Sequence, residues 1–102
     1  MKTFKDFKGE EGIDKVIECA PFINEIITDK DVMENLDKMS FLEIGATIVK
    51  NHEKAFKELR KALGNEDTDS IGLAYSAAQL MKELLTNKDT LDFFTSFAKT
   101  QS

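Results

Sequence analysis

Cysteine and histidine, the two residue types that most often serve as a nucleophile, a general base or a zinc ligand, occur once each in this sequence, as Cys19 and His52. Cys19 lies in an apolar stretch between Ile17 and Ile23 with nothing evident to activate its thiol, so we interpret it as a core cysteine. His52 falls on the apolar face of a predicted helix. A zinc site needs several converging ligands, so we expect His52 to lie at a packing boundary rather than to bind a metal.

Two short motifs in residues 67–78 resemble ligand-binding sequences. Residues 67–72 begin like a calcium loop, but Ala78 stands at the twelfth position, where a bidentate Glu is required. Asp69-Ser70-Ile71 resembles the phosphopantetheine attachment motif of acyl carrier proteins, but the helix that follows is nearly uncharged. We therefore expect Asp69 or Ser70 to be a helix N-cap, and we predict no catalytic residue, no metal and no cofactor.

The charge of the chain disfavours several classes of partner. Nineteen acidic and fourteen basic side chains leave a net charge of -5, which repels phosphate backbones and anionic lipid. No apolar run has the length of a membrane span, and the first residues do not resemble a signal peptide. A lone cysteine suits a reducing cytosol. We expect a cytoplasmic protein that binds neither nucleic acid nor membranes.

The 102 residues have the length of one domain. We predict an all-α fold of five or six helices in a single domain over residues 10–98, with a flexible arm at 1–9 and a short tail at 99–102. The arm carries Phe4 and Phe7, which we expect to pack onto the body.

Apolar residues at helical spacing indicate a first helix that presents one face to the core. That face comprises Ile13, Val16, Ile17, Ala20, Ile23 and Ile27. Pro21 predicts a kink or restart near Ala20. A turn at residues 28–31 then leads into a short second helix.

A long helix is predicted from Phe41 to Leu63. Ser40 and Glu43 have the spacing of a capping box at its start, and Gly64 ends it. Its apolar residues stay on one face of the helix on both sides of Asn51. This pattern allows two alternatives: one continuous helix, or a kink near Asn51 that preserves the direction of the chain.

The helix from Ile71 to Leu85 is predicted to be the most buried. We expect a narrow polar strip on it, formed by Gly72, Ser76, Gln79 and Glu83. The small side chains Ala74, Ala77 and Ala78 would let a neighbouring helix approach closely. Across the two central helices the predicted core comprises Ile48, Phe56, Leu59, Ala77, Leu80, Met81 and Leu84.

The last helix carries more apolar surface than docking on one groove requires. We predict that part of this surface receives a partner, because large apolar side chains at a surface provide adaptable contact area. The predicted partner-binding residues are Phe93, Phe94 and Phe97, with Met81 and Leu85 behind them.

Over residues 13–96 the chain resembles the small tail assembly chaperones of long-tailed bacteriophages and prophages of Gram-positive hosts. The resemblance lies in Pro21-Phe22-Ile23-Asn24-Glu25-Ile26-Ile27 before Asp29, Ile48-Val49-Lys50-Asn51-His52 before Ala55-Phe56, Ala62-Leu63, Leu80-Met81-Lys82-Glu83-Leu84-Leu85, and Asp89-Thr90-Leu91-Asp92-Phe93-Phe94-Thr95-Ser96.

The resemblance implies a non-enzymatic protein of the host bacterial cytoplasm. Such chaperones coat the tape measure protein during tail assembly, keep it soluble and recruit tail tube subunits. It further implies that the chain self-associates around its long partner.

Two other functions remain open from the residues alone: a general helical interaction or regulatory module, and an acyl carrier. Gene order would separate the chaperone from the general module, because a chaperone gene should lie between those of the tube and tape measure proteins.

Overall fold

The computed structural model describes the backbone of residues 2–101 and the side chains of residues 2–96. Over that range the chain forms five α-helices, two 3₁₀ turns and no β-strand, which confirms the predicted all-α class. The helices are α1 (Gly9–Ile27), α2 (Lys30–Glu34), α3 (Phe41–Ala62), α4 (Ser70–Thr86) and α5 (Lys88–Gln101), and the turns are Phe4–Asp6 and Leu36–Lys38.

The core lies between α3 and α4, and α1 and α5 pack around it. All seven core residues predicted on the two central helices are buried, with at most 3% of their surface exposed. They share the core with Ile23 and Ile26 of α1, Val32 of α2 and Phe94 of α5. Each helix therefore contributes one apolar stripe to a common interior.

The face of α4 that meets solvent differs from the predicted polar strip. Ser76 is buried, whereas Ile71 and Tyr75 are 61% and 53% exposed. The Ser76 hydroxyl donates a 2.9 Å hydrogen bond to the carbonyl of Gly72, so burial leaves it without an unsatisfied polar atom. Because Ser76 is small and its hydroxyl is hydrogen-bonded, it can be buried while the Ala-rich side of α4 faces α3.

Helices α3 and α4 lie very close together at Gly45. A Cβ atom built on Gly45 would collide with the carbonyl oxygen of Ala74 and lie 3.2 Å from the Ala78 methyl. The prediction that small residues of α4 admit a neighbouring helix is therefore confirmed. The approach also requires a residue without a side chain on α3, because the blocking atom belongs to the backbone.

The predicted caps of α3 are present at both ends. Ser40 and Glu43 bond reciprocally, each side chain to the other residue's backbone N–H. At the C-terminus Gly64 has φ +83, and the N–H groups of Gly64 and Asn65 donate to the carbonyls of Lys61 and Arg60. This is a Schellman motif, which needs a left-handed residue at the position of Gly64.

Between its caps α3 is not a regular helix. His52 has φ -137 and ψ 37, well outside helical values, so two helical segments meet there. Of the two alternatives that the sequence left open, the kink is observed, one residue beyond Asn51.

Helix α1 runs without interruption through Pro21, so of the predicted kink or restart near Ala20 the restart does not occur. Proline deprives the carbonyl of residue 17 of its helical N–H partner. Ile17 is 53% exposed and Pro21 is also exposed, so water can replace the missing donor at little cost.

The arm is attached to the helical body. Phe4 and Phe7 pack against the core as predicted, and the Phe4 ring lies 5.5 Å from that of Phe94. Lys2 and Asn65 exchange two hydrogen bonds, from the Lys2 N–H to Asn65 Oδ1 and from Asn65 Nδ2 to the Lys2 carbonyl. At the other end α5 continues into the predicted tail, as far as Gln101.

Candidate partner-binding groove

Two isoleucines of α1 lie at the surface instead of in the core. Ile13 is 62% exposed and Ile17 is 53% exposed, although both belong to the predicted core face. The buried residues of α1 are instead Cys19, Ala20, Ile23 and Ile26. At about 100° per residue, Ile13 and Ile17 lie roughly 90–130° from the centre of that buried group. Helix α1 therefore has two apolar faces. One packs into the core, and the other, with Ile13 and Ile17, is exposed to solvent.

The exposed isoleucines line a groove of about 440 Å³ between α1, α5 and the arm, which we call the α1–α5 groove. Its apolar lining comprises Phe4 and Phe7 of the arm, Ile13, Val16 and Ile17 of α1, and Phe93 of α5. Gly9, Gly12 and Thr90 complete it. The volume falls within the range of about 300–1,000 Å³ that is usual for binding sites.

Acidic side chains flank two walls of the α1–α5 groove. Glu10 and Asp14 are exposed on α1, three residues from Ile13 and Ile17 respectively, and therefore adjacent to them on the helix surface. Asp89 is exposed on α5, four residues before Phe93. The apolar floor with acidic flanks matches a helix that has an apolar stripe and basic neighbours.

The ammonium group of Lys15 on α1 makes its contacts within the protein. It donates a 2.7 Å hydrogen bond to the Ala62 carbonyl, lies 3.6 Å from Glu18 and sits 5.5 Å from the centre of the Phe7 ring. This lysine connects α1 to the end of α3 and helps to position the arm.

The structure separates the five residues predicted to bind a partner. Phe93 is 43% exposed and lines the α1–α5 groove. Phe94 and Met81 are buried in the core, with 0% and 2% exposure. Leu85 is 43% exposed but does not line this groove, and the side chain of Phe97 lies outside the described residues.

Sequence reasoning missed most of the groove. The spacing of Ile13 and Ile17 continues that of the buried residues of α1, and it therefore predicts a place in the core for both. A second apolar face on α1 was detectable in principle, since Ile13 and Ile17 diverge from Ile23 and Ile26 on a helical wheel.

A second apolar surface lies at the start of α3 and α4. It comprises Phe41, Leu42, Ile71 and Tyr75, each between 39% and 61% exposed, and we call it the α3–α4 patch. The rings of Phe41 and Tyr75 lie 6.0 Å apart, within the range of an aromatic contact.

The kink residue His52 lies between two carboxylates. Its Nδ1 is 2.9 Å from Glu25 Oε2, near the end of α1, and its Nε2 is 2.6 Å from Asp29 Oδ2, the N-cap of α2. Burial disfavours the charged ring, but the hydrogen bonds to Asp29 and Glu25 outweigh it and raise the pKa of His52 above its ordinary value. The bond from His52 in turn lowers the pKa of Asp29.

Cys19 occupies the core position that the sequence predicted for it. It is fully buried, and this burial, reinforced by the charge of Glu18, raises the pKa of its thiol to about 12. Such a thiol carries almost no thiolate at neutral pH, so it is a poor nucleophile.

Among the described side chains, no three His, Cys, Asp or Glu residues are placed to hold a metal ion. None of the helices found in residues 2–101 is both long and apolar enough to cross a membrane. Comparisons of the chain with protein-family models, curated proteins and solved structures find no match.

Proposed function

We propose that this protein is a phage or prophage tail assembly chaperone that acts in the host cytoplasm without enzymatic chemistry. It binds helices of the tape measure protein in the α1–α5 groove and helps to recruit tail tube subunits. The observation that carries the proposal is the groove itself, with Ile13, Ile17 and Phe93 exposed around it.

The groove supports this role because a tape measure protein presents long amphipathic helices during assembly. An amphipathic helix binds by laying its apolar residues, spaced three or four apart, into an apolar groove. Ile13 and Ile17 stand one turn apart on one wall and Phe93 stands on the other, so successive turns of a bound helix would meet both walls. Aliphatic and aromatic side chains provide contact area without demanding one particular sequence. A chaperone that binds many segments of a long partner needs such tolerance.

The acidic flanks add a preference for the charge of the partner. Glu10 and Asp14 lie beside the isoleucines, and Asp89 lies beside Phe93. These carboxylates favour a bound helix with Lys or Arg next to its apolar stripe. Screening by salt should weaken this contribution and leave the apolar contacts in place.

The first test replaces one exposed residue on each wall, in the double variant Ile17→Asp with Phe93→Asp. A helix bound in the groove would bury both new carboxylates. Burying a charge without an opposite charge beside it costs free energy. We expect affinity for the cognate tape measure protein to fall about 10-fold or more, equivalent to at least about 1.4 kcal/mol. Co-purification and calorimetric titration measure the loss, after circular dichroism has verified helicity.

A matched control places the same charges on the α3–α4 patch, in the double variant Ile71→Asp with Tyr75→Asp. These side chains are at least as exposed as Ile17 and Phe93 but lie outside the groove. The control should keep the affinity of the single protomer for the tape measure protein, measured at concentrations low enough that the wild type is also monomeric. Loss of binding in the control, with retention in the folded groove variant, would move the site to the α3–α4 patch.

We further propose that the protein self-associates through the α3–α4 patch, which would leave the groove open to the tape measure protein. Exposed aromatic clusters of this kind mark interaction surfaces on soluble proteins. Light scattering across a concentration series should show species larger than the monomer. The Ile71→Asp with Tyr75→Asp variant should shift these species toward monomer, and the groove variant should not. A wild-type protein that stays monomeric at high concentration would refute self-association.

A further inference from the structure

The contacts of His52 favour one protonation state of its ring. A neutral imidazole has one N–H donor and one ring nitrogen with a lone pair, whereas the imidazolium donates from both nitrogens. Both nitrogens of His52 lie within hydrogen-bond distance of a carboxylate oxygen, at 2.9 Å and 2.6 Å. A neutral ring would set a lone pair against one of these oxygens, so only the imidazolium satisfies both contacts.

We propose that His52 is a protonation-dependent latch of the α3 kink. As an imidazolium it joins the kink to Glu25 of α1 and to Asp29 at the α1–α2 corner, and as a neutral ring it keeps Asp29 and releases Glu25. The proposal does not depend on the chaperone function, because every group in it belongs to this chain.

The two carboxylates differ in how firmly the fold holds them. The Asp29 side chain is 18% exposed, and its second oxygen, Oδ1, accepts hydrogen bonds from the N–H groups of Asp31 and Val32. The Glu25 side chain is 55% exposed and lies farther from the ring. Glu25 can therefore turn to water at little cost when His52 loses a proton, whereas Asp29 is held by its role as a helix cap.

The ring of His52 lies where a change in its contacts can affect how α3 packs against α1. His52 interrupts the helical geometry of α3, and its side chain, 12% exposed, crosses to the end of α1. A cavity of about 340 Å³ adjoins it, lined in part by Phe22 and Glu58. This space lets water reach the ring, so we expect the angle between the two segments of α3 to change once the tie to Glu25 is lost.

Other charged groups near the ring come from α3 itself. Glu53, Lys54 and Glu58 line the same cavity as His52. Glu53 forms an exposed ion pair with Lys57 at 2.7 Å. The groups that meet the ring from the other elements are Glu25 on α1 and Asp29 at the corner, and the two together oppose the positive charge of the imidazolium.

The latch is expected to stabilise the protein over a bounded range of pH. The folded pKa of His52 is raised above its ordinary 6.5, so its contribution is complete below that pH and is lost as pH rises through the folded value. The folded pKa of Asp29 is lowered below its ordinary 3.8, so its contribution is complete above that pH and is lost as pH falls through the folded value. Both contributions are complete between these two ordinary values.

The test is an NMR titration of the His52 ring nitrogens in three variants and the wild type. Wild-type His52 should titrate above 6.5, with both nitrogens protonated below the transition. Glu25→Gln and Asp29→Asn should each shift the titration downward, and asparagine still caps α2 through its amide oxygen. The control Glu53→Gln removes a carboxylate from the same cavity and should shift the titration less than either, because Glu53 has no bond to the ring.

A second measurement follows the kink. The substitutions Ala46→Cys and Lys61→Cys would place one spin label on each segment of α3, because both positions are exposed. The distance between the labels reports the angle between the segments, and Cys19 stays unlabelled because it is buried. We expect the distance distribution to change across the wild-type titration. Glu25→Ala, which leaves no side-chain partner for His52 Nδ1, should show the high-pH distribution at both ends of the titration. A wild-type transition at or below 6.5 would overturn the proposal, and so would a distance distribution that does not depend on pH.

Discussion

Replacing Phe94 with alanine is expected to lower the free energy of unfolding by about 3–5 kcal/mol, the usual cost of truncating a buried phenylalanine. Phe94 has no exposed surface, and its ring lies 5.5 Å from that of Phe4 and 5.4 Å from that of Phe93. It connects α5 and the arm to the core. Its loss would leave a cavity and remove an apolar contact of the arm at the same time.

Denaturant unfolding followed by circular dichroism measures this effect, and Phe93→Ala is the matched control. Phe93 is the preceding residue of the same helix but is 43% exposed, so its truncation should cost much less. The two variants should also differ in function, because Phe93 lines the α1–α5 groove and Phe94 does not. Equal stability losses for the two variants would contradict the placement of Phe94 in the core.

Substituting Gly45 with alanine is expected to lower the free energy of unfolding by about 3 kcal/mol, the upper end of the usual cost of overpacking. Alanine is favoured over glycine within a helix by about 1 kcal/mol, which acts in the opposite direction. The collision outweighs this gain because the added methyl meets the Ala74 carbonyl, a backbone atom that cannot rotate away. Helices α3 and α4 would have to separate, and much of the core lies between them.

Ala46→Ser is the control for Gly45→Ala, because residue 46 is the next position of α3 and is exposed. A surface substitution of this kind usually changes stability by no more than about 0.5 kcal/mol. Thermal or denaturant unfolding separates the two variants. Increased stability of the Gly45→Ala protein would mean that α3 and α4 do not approach each other as closely as described.

Local patterns were sufficient to predict the all-α class and several of the helix ends. The capping box at Ser40, the N-cap at Asp69 and the terminating Gly64 each depend on residues within a few positions of one another. Such signals need no tertiary context, since the partners of each hydrogen bond lie within one turn. Pro21 was the exception, because its cost depends on whether water reaches the freed carbonyl.

The candidate sites were harder to predict because they join residues that are distant in sequence. The α1–α5 groove brings Phe4 together with Ile13 and Phe93, and the His52 latch joins residues 23 and 27 positions apart. Helical spacing identifies apolar residues on one element, but it does not show which of two apolar faces meets the core. That choice is made by the neighbouring helices.

Periodicity and turn chemistry act over a few residues, and they therefore suffice to predict the all-α class, the caps of α3 and the core residues between Ile48 and Leu84. Which apolar residues remain at the surface depends instead on how the helices pack together. Where α1 packs against α3 and α5, Ile13 and Ile17 remain exposed, whereas Phe94 of α5 and Ser76 of α4 are buried. Helix packing also places His52 between Glu25 and Asp29, since the partners of a side chain that crosses between helices are set by how those helices pack.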